Sequence, residues 1–308
     1  MSASPHIPVL APEVVELLQV RADGLYIDGT FGAGGYTAAL LAAGAGRVIA
    51  IDRDPNAIRD GAPLAARYPD RLRLVHGTFG SLDSVLDRPA SADGIALDLG
   101  VSSMQLDQPD RGFSFQQDGP LDMRMSGEGP TAADLVATTD EAILADWLWR
   151  FGEERYSRRV ARAIVATRHD RPLQRTADLA AVVAKAIPRP DPHHHPATRT
   201  FQALRIVVND ELGVLEEGLE DAFAMLAPGG RLGVICFHSL EDRMVKRFMR
   251  DRVRGCICPP GMPVCGCGRS SAAAAITTKA VRPSADEQDV NARAHSARFR
   301  AVMRREAA

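Results

Sequence analysis

No run of about 18 consecutive apolar residues occurs in the 308-residue chain, so no segment reads as a membrane-spanning helix. Charge of one sign is not in excess either. Thirty-seven Lys and Arg face 39 Asp and Glu, a net charge of -2, so bulk charge does not predict a polyanion partner and any basic surface must be local. Glycine and proline are not abundant enough to prevent a buried core, and 45% of the residues are hydrophobic. Five cysteines, an odd number in a chain of this size, argue against a disulfide framework and for a reducing compartment, so the cytoplasm is expected. Residues 1–6 lack the basic start and apolar centre of a secretion signal.

Against these absences stands one dense stretch, Asp28-Gly29-Thr30-Phe31-Gly32-Ala33-Gly34-Gly35-Tyr36-Thr37. It follows an apolar run, Leu25-Tyr26-Ile27, and precedes small helix-forming residues. A second apolar run, Val48-Ile49-Ala50-Ile51, then ends at Asp52. Strand, glycine turn, helix, strand and acid form a nucleoside-cofactor pocket at the carboxyl edge of a parallel sheet. The glycines allow close approach to a ligand, and the acid accepts hydrogen bonds from ribose hydroxyls. The dinucleotide spacing G-x-G-x-x-G is missing, because Thr37 stands where the last glycine would be. Asp28, at the end of the first strand, would also repel a pyrophosphate. S-adenosylmethionine (SAM) has no phosphate and carries a sulfonium and an ammonium. The pattern favours SAM over NAD, with a nicotinamide-dependent oxidoreductase as the runner-up and a glycine turn without a ligand as the remaining alternative.

Strand-like runs at 26–28, 48–52, 72–75, 95–98 and 232–237, with helical patterns at 37–43, 55–67 and 81–86, predict an α/β fold with a doubly wound parallel sheet. The gap after the fourth strand is too long for one crossover. It predicts a helical subdomain inserted at 106–206, with helices at 139–151, 153–167 and 176–187, between flanking parts of the main domain at 1–105 and 207–308. A helix at 209–226, ended by Pro228-Gly229-Gly230, resumes the main fold. Segments 275–281 and 297–303 read as a closing hairpin that brings the sheet to seven strands. From Arg150 to Arg205 the insert has twelve Lys and Arg against five Asp and Glu, a balance of +7. Arg155, Arg158, Arg159 and Arg162 stand at helical neighbour spacings. They form either a solvated face or a phosphate-binding stripe. The second reading gains from Arg199 and Phe201 in His195-Pro196-Ala197-Thr198-Arg199-Thr200-Phe201 and from Arg205, because basic groups mixed with aromatics suit unstacked RNA.

Strand four ends in Asp98-Leu99-Gly100-Val101, at the ligand crevice of such sheets. A carboxylate there has a task if the nucleophile is an exocyclic base amine. By accepting the N–H it localises the lone pair and stabilises the charge that develops as a methyl arrives. No cysteine follows this strand, which counts against a covalent adduct at ring carbon 5. An Asn/Asp-Pro-Pro-aromatic motif, usual for DNA amino-methylation, is also absent, so DNA is not the expected substrate. Phe79 either covers an adenine or fills the core. Phe113 and Phe115 are candidates for stacking a target base. His238 is either a proton shuttle or a hydrogen-bonded structural histidine. Cys256, Cys258, Cys265 and Cys267 form C-x-C-x6-C-x-C, tighter than the usual spacing of structural zinc sites. Zinc and reduced thiols in a Pro/Gly-rich loop both remain open, and no metal is assigned to the site.

Several motifs occur together and in order: His6-Ile7-Pro8-Val9-Leu10, the glycine turn, Ala50-Ile51-Asp52-Arg53-Asp54-Pro55, Leu97-Asp98-Leu99-Gly100-Val101-Ser102-Ser103 and Gln105-Leu106-Asp107. Further along come Arg111-Gly112-Phe113-Ser114-Phe115, Gly119-Pro120-Leu121-Asp122-Met123-Arg124-Met125, Gly152-Glu153-Glu154-Arg155, His195 to Gln202 and Phe237-His238-Ser239-Leu240-Glu241-Asp242-Arg243. In these the chain resembles the MraW (RsmH) family of bacterial small-subunit ribosomal RNA cytidine-N4-methyltransferases. The resemblance implies a class I SAM-dependent methyltransferase sheet and methylation of one cytidine near the decoding centre. It further implies small-subunit ribosomal RNA as partner, within the assembled subunit, and cofactor contacts at Gly34, Gly35, Tyr36, Asp52, Phe79, Asp98 and Gln105. Tyr36 departs from the family's usual His at that position. A non-enzymatic assembly factor is the rival that intact Asp98, Asp52 and Gly34-Gly35 disfavour.

Overall fold

A computed structural model describes residues 8–84, 89–259 and 261–306. Residues 1–6, His6-Ile7 of the first motif and the end of the helix expected at 81–86 lie outside the described residues. The chain divides into two compact units, Met1–Gly100 with Gly213–Ala308, and Val101–Leu212.

The first unit is built on a seven-stranded sheet of order β3-β2-β1-β4-β5-β7-β6. Its strands are β1 (Leu25–Asp28), β2 (Arg47–Asp52), β3 (Leu72–His76), β4 (Ala92–Asp98), β5 (Leu226–Cys236), β6 (Ala273–Ala275) and β7 (Arg298–Arg304). β1 to β5 pair in parallel, and β7 runs antiparallel to both β5 and β6. This order, with its reversed seventh strand, is the class I methyltransferase topology. β1, β2 and β4 are adjacent, so their carboxyl ends, at Asp28, Asp52 and Asp98, lie along one edge.

Both faces of the sheet are covered, which is why its strands read as continuous apolar runs. Along β4, Ile95 and Leu97 enter one core while Ala96 enters the other. The first core is closed by Leu219 and Phe223 of α11 (Glu211–Met225) and by Val245 and Met249 of α12 (Ser239–Arg254). The second is closed by Val14 and Leu18 of α1 (Ala11–Leu18) and by Leu40 and Leu41 of α2 (Gly35–Ala42). The helix expected over 55–67 is two helices, α3 (Pro55–Asp60) and α4 (Ala62–Arg67). Pro63 cannot donate to the preceding turn, and a side chain at Gly61 would come within 2.5 Å of the Phe31 ring, so the chain turns there. Residues 79–84 form a 3-10 turn where a helix was expected. The closing hairpin is also displaced. Its first strand is Ala273–Ala275, and only a single bridge, Val281 to Phe299, represents the rest of the segment expected at 275–281.

The second unit holds α5 (Ser103–Asp107), α6 (Ala132–Thr138), α7 (Glu141–Arg150), α8 (Ser157–Asp170), α9 (Thr176–Ala186) and α10 (Thr198–Asn209). A short α13 (Ala285–Val290) belongs to the first unit. Leu144, Leu148, Val160, Ile164, Leu179, Val183, Phe201 and Leu204 make the core of the second unit. α8 starts four residues later than expected, because Glu153 takes a left-handed conformation (φ 51°) and Gly152 packs against the Arg199 and Leu148 carbonyls. α10 was not expected. The segment carrying the His-Pro-Ala-Thr-Arg motif continues directly into a helix whose Phe201 and Leu204 are buried.

Candidate active site

The glycine turn leaves β1 and enters α2 at the carboxyl edge of the sheet. Gly34 is the N-cap of α2 with φ 80°, in the left-handed region that a side chain disfavours. A side chain at Gly29 would strike Leu97 at 2.4 Å, so β1 and β4 approach closely here. Gly35 has a second reason to be glycine, since a Cβ there would press on the Pro8 ring at 3.0 Å.

Three carboxylates stand along this edge. Asp28 is fully buried, with Oδ2 accepting from Thr37 Oγ1 at 2.7 Å and Oδ1 from Thr30 N–H at 3.2 Å. Burial pushes its pKa up to about 6, against those hydrogen bonds. Asp52 accepts from Gly32 N–H at 2.7 Å on one oxygen and from Asp54 N–H at 2.8 Å on the other. Burial raises its pKa too, and the two N–H groups oppose the rise. The backbone N–H of Asp98 donates to Thr30 Oγ1 at 2.6 Å. Its carboxyl Oδ1 is buried without a hydrogen-bond partner among the described residues. Burial holds Asp98 well above the usual carboxylate range, and the charges of Asp28 and Glu241 add to the rise. Among the described residues, no basic side chain is a cause of the shift at either Asp28 or Asp98. A dry cluster of acids with an orphaned oxygen is destabilised when ionised and is relieved by a cation.

Several expected site residues stand differently from the expectation. Tyr36 is buried, and its hydroxyl donates to the Val9 carbonyl at 2.5 Å. The phenol is thereby committed to anchoring the segment before α1, which leaves the Tyr36 backbone as the group for the expected cofactor contact. Phe79 is partly buried, with its ring on Gly218 of α11, where a Cβ would overlap it at 2.3 Å. Its Cβ also stands 3.1 Å from a Cβ placed on Gly29, so the ring belongs both to the core and to the turn's surroundings. His238 is the N-cap of α12. Its Nδ1 accepts from Glu241 N–H at 3.4 Å, and Glu241 accepts in return from Phe237 and His238 N–H. His238 Nε2 stands 3.0 Å from Glu241 Oε1 but is not aligned for a hydrogen bond. His238 thus caps α12, in keeping with the hydrogen-bonded structural histidine of the two readings. The sequence-based selection missed Thr30 and Thr37, the hydroxyls that hold Asp98 and Asp28. Their positions two and nine residues after Asp28, inside the glycine turn, were the available signal.

In the second unit, Gln105 caps α5, its Oε1 accepting from Ser102 N–H at 3.1 Å. Phe113 is in the core of the unit, with the Arg111 guanidinium 5.8 Å over its ring. A ring so enclosed does not stack a base, which corrects that expectation. Phe115 remains at the margin, 4.6 Å from the His195 ring and 4.9 Å from Phe201. Nearby residues Arg155, Tyr156, Arg189, His194, His195 and Arg199 line an open recess. The +7 balance overstates the free charge, because several arginines pair with acids outside the counted stretch. Arg205 is bidentate to Glu211 at 2.7 and 2.8 Å, Arg175 meets Asp118, Arg150 meets Asp146, and Arg162 lies 3.6 Å from Glu141. Arg158 and Arg159 are exposed, with no ion pair among the described residues.

The sequence pattern of the MraW methylase family matches residues 3–305. The chain belongs to this family. Relatives named Ribosomal RNA small subunit methyltransferase H are similar over most of its length. That of Paramagnetospirillum magneticum is 54% identical over 309 residues, covering 99% of this chain and 97% of the relative. That of Acidiphilium cryptum is 55% identical and covers 97% of each. That of Rhodospirillum centenum is 61% identical over 249 residues, covering 80% of this chain and 76% of the relative. The chain is thus a SAM-dependent methyltransferase. The residues present fit that cofactor: an acid edge with no basic partner among the described residues suits a cationic ligand and opposes a pyrophosphate.

This methylase should bind its cofactor with release of a proton. A cation beside Asp28 favours the carboxylate, so the pKa near 6 of the free site falls on binding, and affinity rises between about pH 5 and pH 7. The same shift has the opposite sign for the stability of the free chain. Because the folded-state pKa of Asp28 is raised, its contribution is most favourable below the unfolded value of 3.8 and is lost as pH rises through about 6. Calorimetry at pH 5.5 to 6 in buffers of different ionisation enthalpy measures the released proton. Binding heat that is independent of the buffer would remove Asp28 from this linkage.

Proposed function

We propose that the chain methylates the N4 amine of one cytidine in small-subunit ribosomal RNA, acting in the cytoplasm on the assembled small subunit. The observation that carries this reading is the buried, unpartnered Asp98 Oδ1 at the end of β4, in a chain that matches the MraW methylase family over residues 3–305. The names of the relatives support the RNA substrate.

SAM supplies an electrophilic methyl on a sulfonium. The turn from Gly32 to Gly35 and the remaining lone pairs of Asp52 would hold its nucleoside end, with Asp52 accepting from ribose hydroxyls. Asp28 would supply negative charge to the cationic ligand. Asp98 Oδ1 accepts an N–H of the target amine, turns the nitrogen lone pair toward the methyl and stabilises the positive charge that grows on nitrogen. Its raised pKa suits it to receive that amine's proton. The test incubates small subunits lacking the modification with labelled SAM, then digests the RNA and locates the label by mass spectrometry. Label on ring carbon 5, on a ribose oxygen or on protein alone would overturn the reaction type.

RNA recognition falls to the second unit, through Arg158, Arg159 and Arg162 of α8 and the recess that includes Arg199. Replacing the three α8 arginines together should flatten the salt dependence of subunit binding by about two units of slope, at roughly 0.7 to 0.9 per lost phosphate contact. Arg162 should contribute least, since Glu141 already neutralises part of its charge. SAM affinity should be unchanged, because the three acids of the cofactor edge belong to the other unit. An unaltered salt slope would make the stripe a solvated helix face.

A further inference from the structure

We propose that Cys256, Cys258, Cys265 and Cys267 bind one structural zinc ion that closes the loop between α12 and β6. The four sulfurs converge, with every pair within 4.8 Å. The distances are 3.6 Å for Cys256–Cys265, 3.9 Å for Cys258–Cys265, 3.5 Å for Cys265–Cys267 and 3.7 Å for Cys256–Cys267. A tetrahedron with zinc–sulfur bonds of about 2.3 Å has edges of about 3.75 Å. These separations are far longer than a disulfide, and all four thiols are free. The sequence spacing, tight as it is, therefore reaches tetrahedral geometry once the two C-x-C arms face each other.

The loop around them has little else to hold it. Ile257, Met262 and Val264 are exposed, at 61%, 49% and 76%, so these apolar side chains point outward while the four sulfurs face one another. Among the described residues of 257–270, one backbone hydrogen bond lies within the loop, Met262 N–H to the Pro259 carbonyl at 3.4 Å. The loop's ends meet at Gly255, where a Cβ would stand 2.5 Å from Ser270 and Ser271. A loop without helix, strand or core gains its order from another source, and a metal bound by four thiolates supplies it. Backbone N–H groups of Arg269 and Ile257 also face the Cys267 sulfur, as they do around thiolate ligands. Four sulfurs with no histidine or carboxylate among them, in a closed tetrahedron, describe a structural rather than a catalytic ion.

The full-length chain, untagged and purified without chelator, should contain about one zinc per molecule by elemental analysis. Replacing zinc with cobalt(II) should give intense visible d–d bands and a near-ultraviolet sulfur-to-cobalt charge-transfer band. Cys258→Ser combined with Cys265→Ser should lower the zinc content to about a tenth or less and increase hydrogen exchange across the loop. The cobalt spectrum is recorded on the unaltered chain, so it decides the matter even if the double variant does not fold. Three results would overturn the proposal. One is a metal-free chain whose four thiols titrate freely, with no charge-transfer band on adding cobalt. The second is zinc retained by the double variant, as would follow from binding at His193, His194 and His195. The third is iron in place of zinc.

Discussion

Asp98→Ala should lower single-turnover methyl transfer by ~10²–10³-fold at saturating SAM, the scale of removing one preorganised electrostatic contact. Asp98 Oδ1 is buried with no hydrogen-bond partner among the described residues, and the neighbouring Asp28 and Glu241 are both acids. Asp98→Asn separates chemistry from folding. The amide fills the same space, removes a buried charge repelled by two others, and should raise the melting temperature of the ligand-free chain while transfer still falls. Rapid-quench measurement on small subunits gives the rate, and calorimetry with the demethylated product gives binding separately. A full single-turnover rate in Asp98→Asn would remove the carboxylate from the mechanism.

The next largest effect should come from Asp52. Asp52→Ala should weaken cofactor binding by about 1–3 kcal/mol through lost charged hydrogen bonds to ribose. The structure adds a second consequence. The two oxygens of Asp52 also hold Gly32 N–H at 2.7 Å and Asp54 N–H at 2.8 Å, so alanine frees both sides of the pocket. Asp52→Asn keeps one acceptor and should lie between wild type and alanine. If titration calorimetry gives the same affinity for Asp52→Ala as for wild type, the ribose is held elsewhere.

Much of the cofactor edge was legible because it is local. The glycine turn, the two strands and the acid at the end of the second lie within 28 residues, Leu25 to Asp52, and each obeys a short-range rule of backbone geometry or strand burial. The helix expected over 55–67 failed because the periodicity was right but the contact was unseen: Phe31, far away in sequence, occupies the space beside Gly61. Phe113 looked like a base-stacking residue for a similar reason. An aromatic beside Arg and Gly has the composition of an RNA contact, but the residues that enclose it come from elsewhere in the second unit. His238 could be read as a shuttle or a cap until the position of Glu241 showed which backbone groups it shares.

The sequence alone determined the sheet-and-turn architecture, the acids at the strand ends and the family, because these depend on residue type and order along short stretches. Only the tertiary structure decided which charges are free. Arg205 and Arg175 counted toward a basic surface until Glu211 and Asp118 were found against them. Asp98 looked like any strand-end acid until its Oδ1 proved to be buried, with no hydrogen-bond partner among the described residues. The four cysteines, ambiguous as a linear motif, became a tetrahedron in space. Coulomb energy, desolvation and metal geometry all depend on distances between residues far apart in the chain, and folding sets those distances.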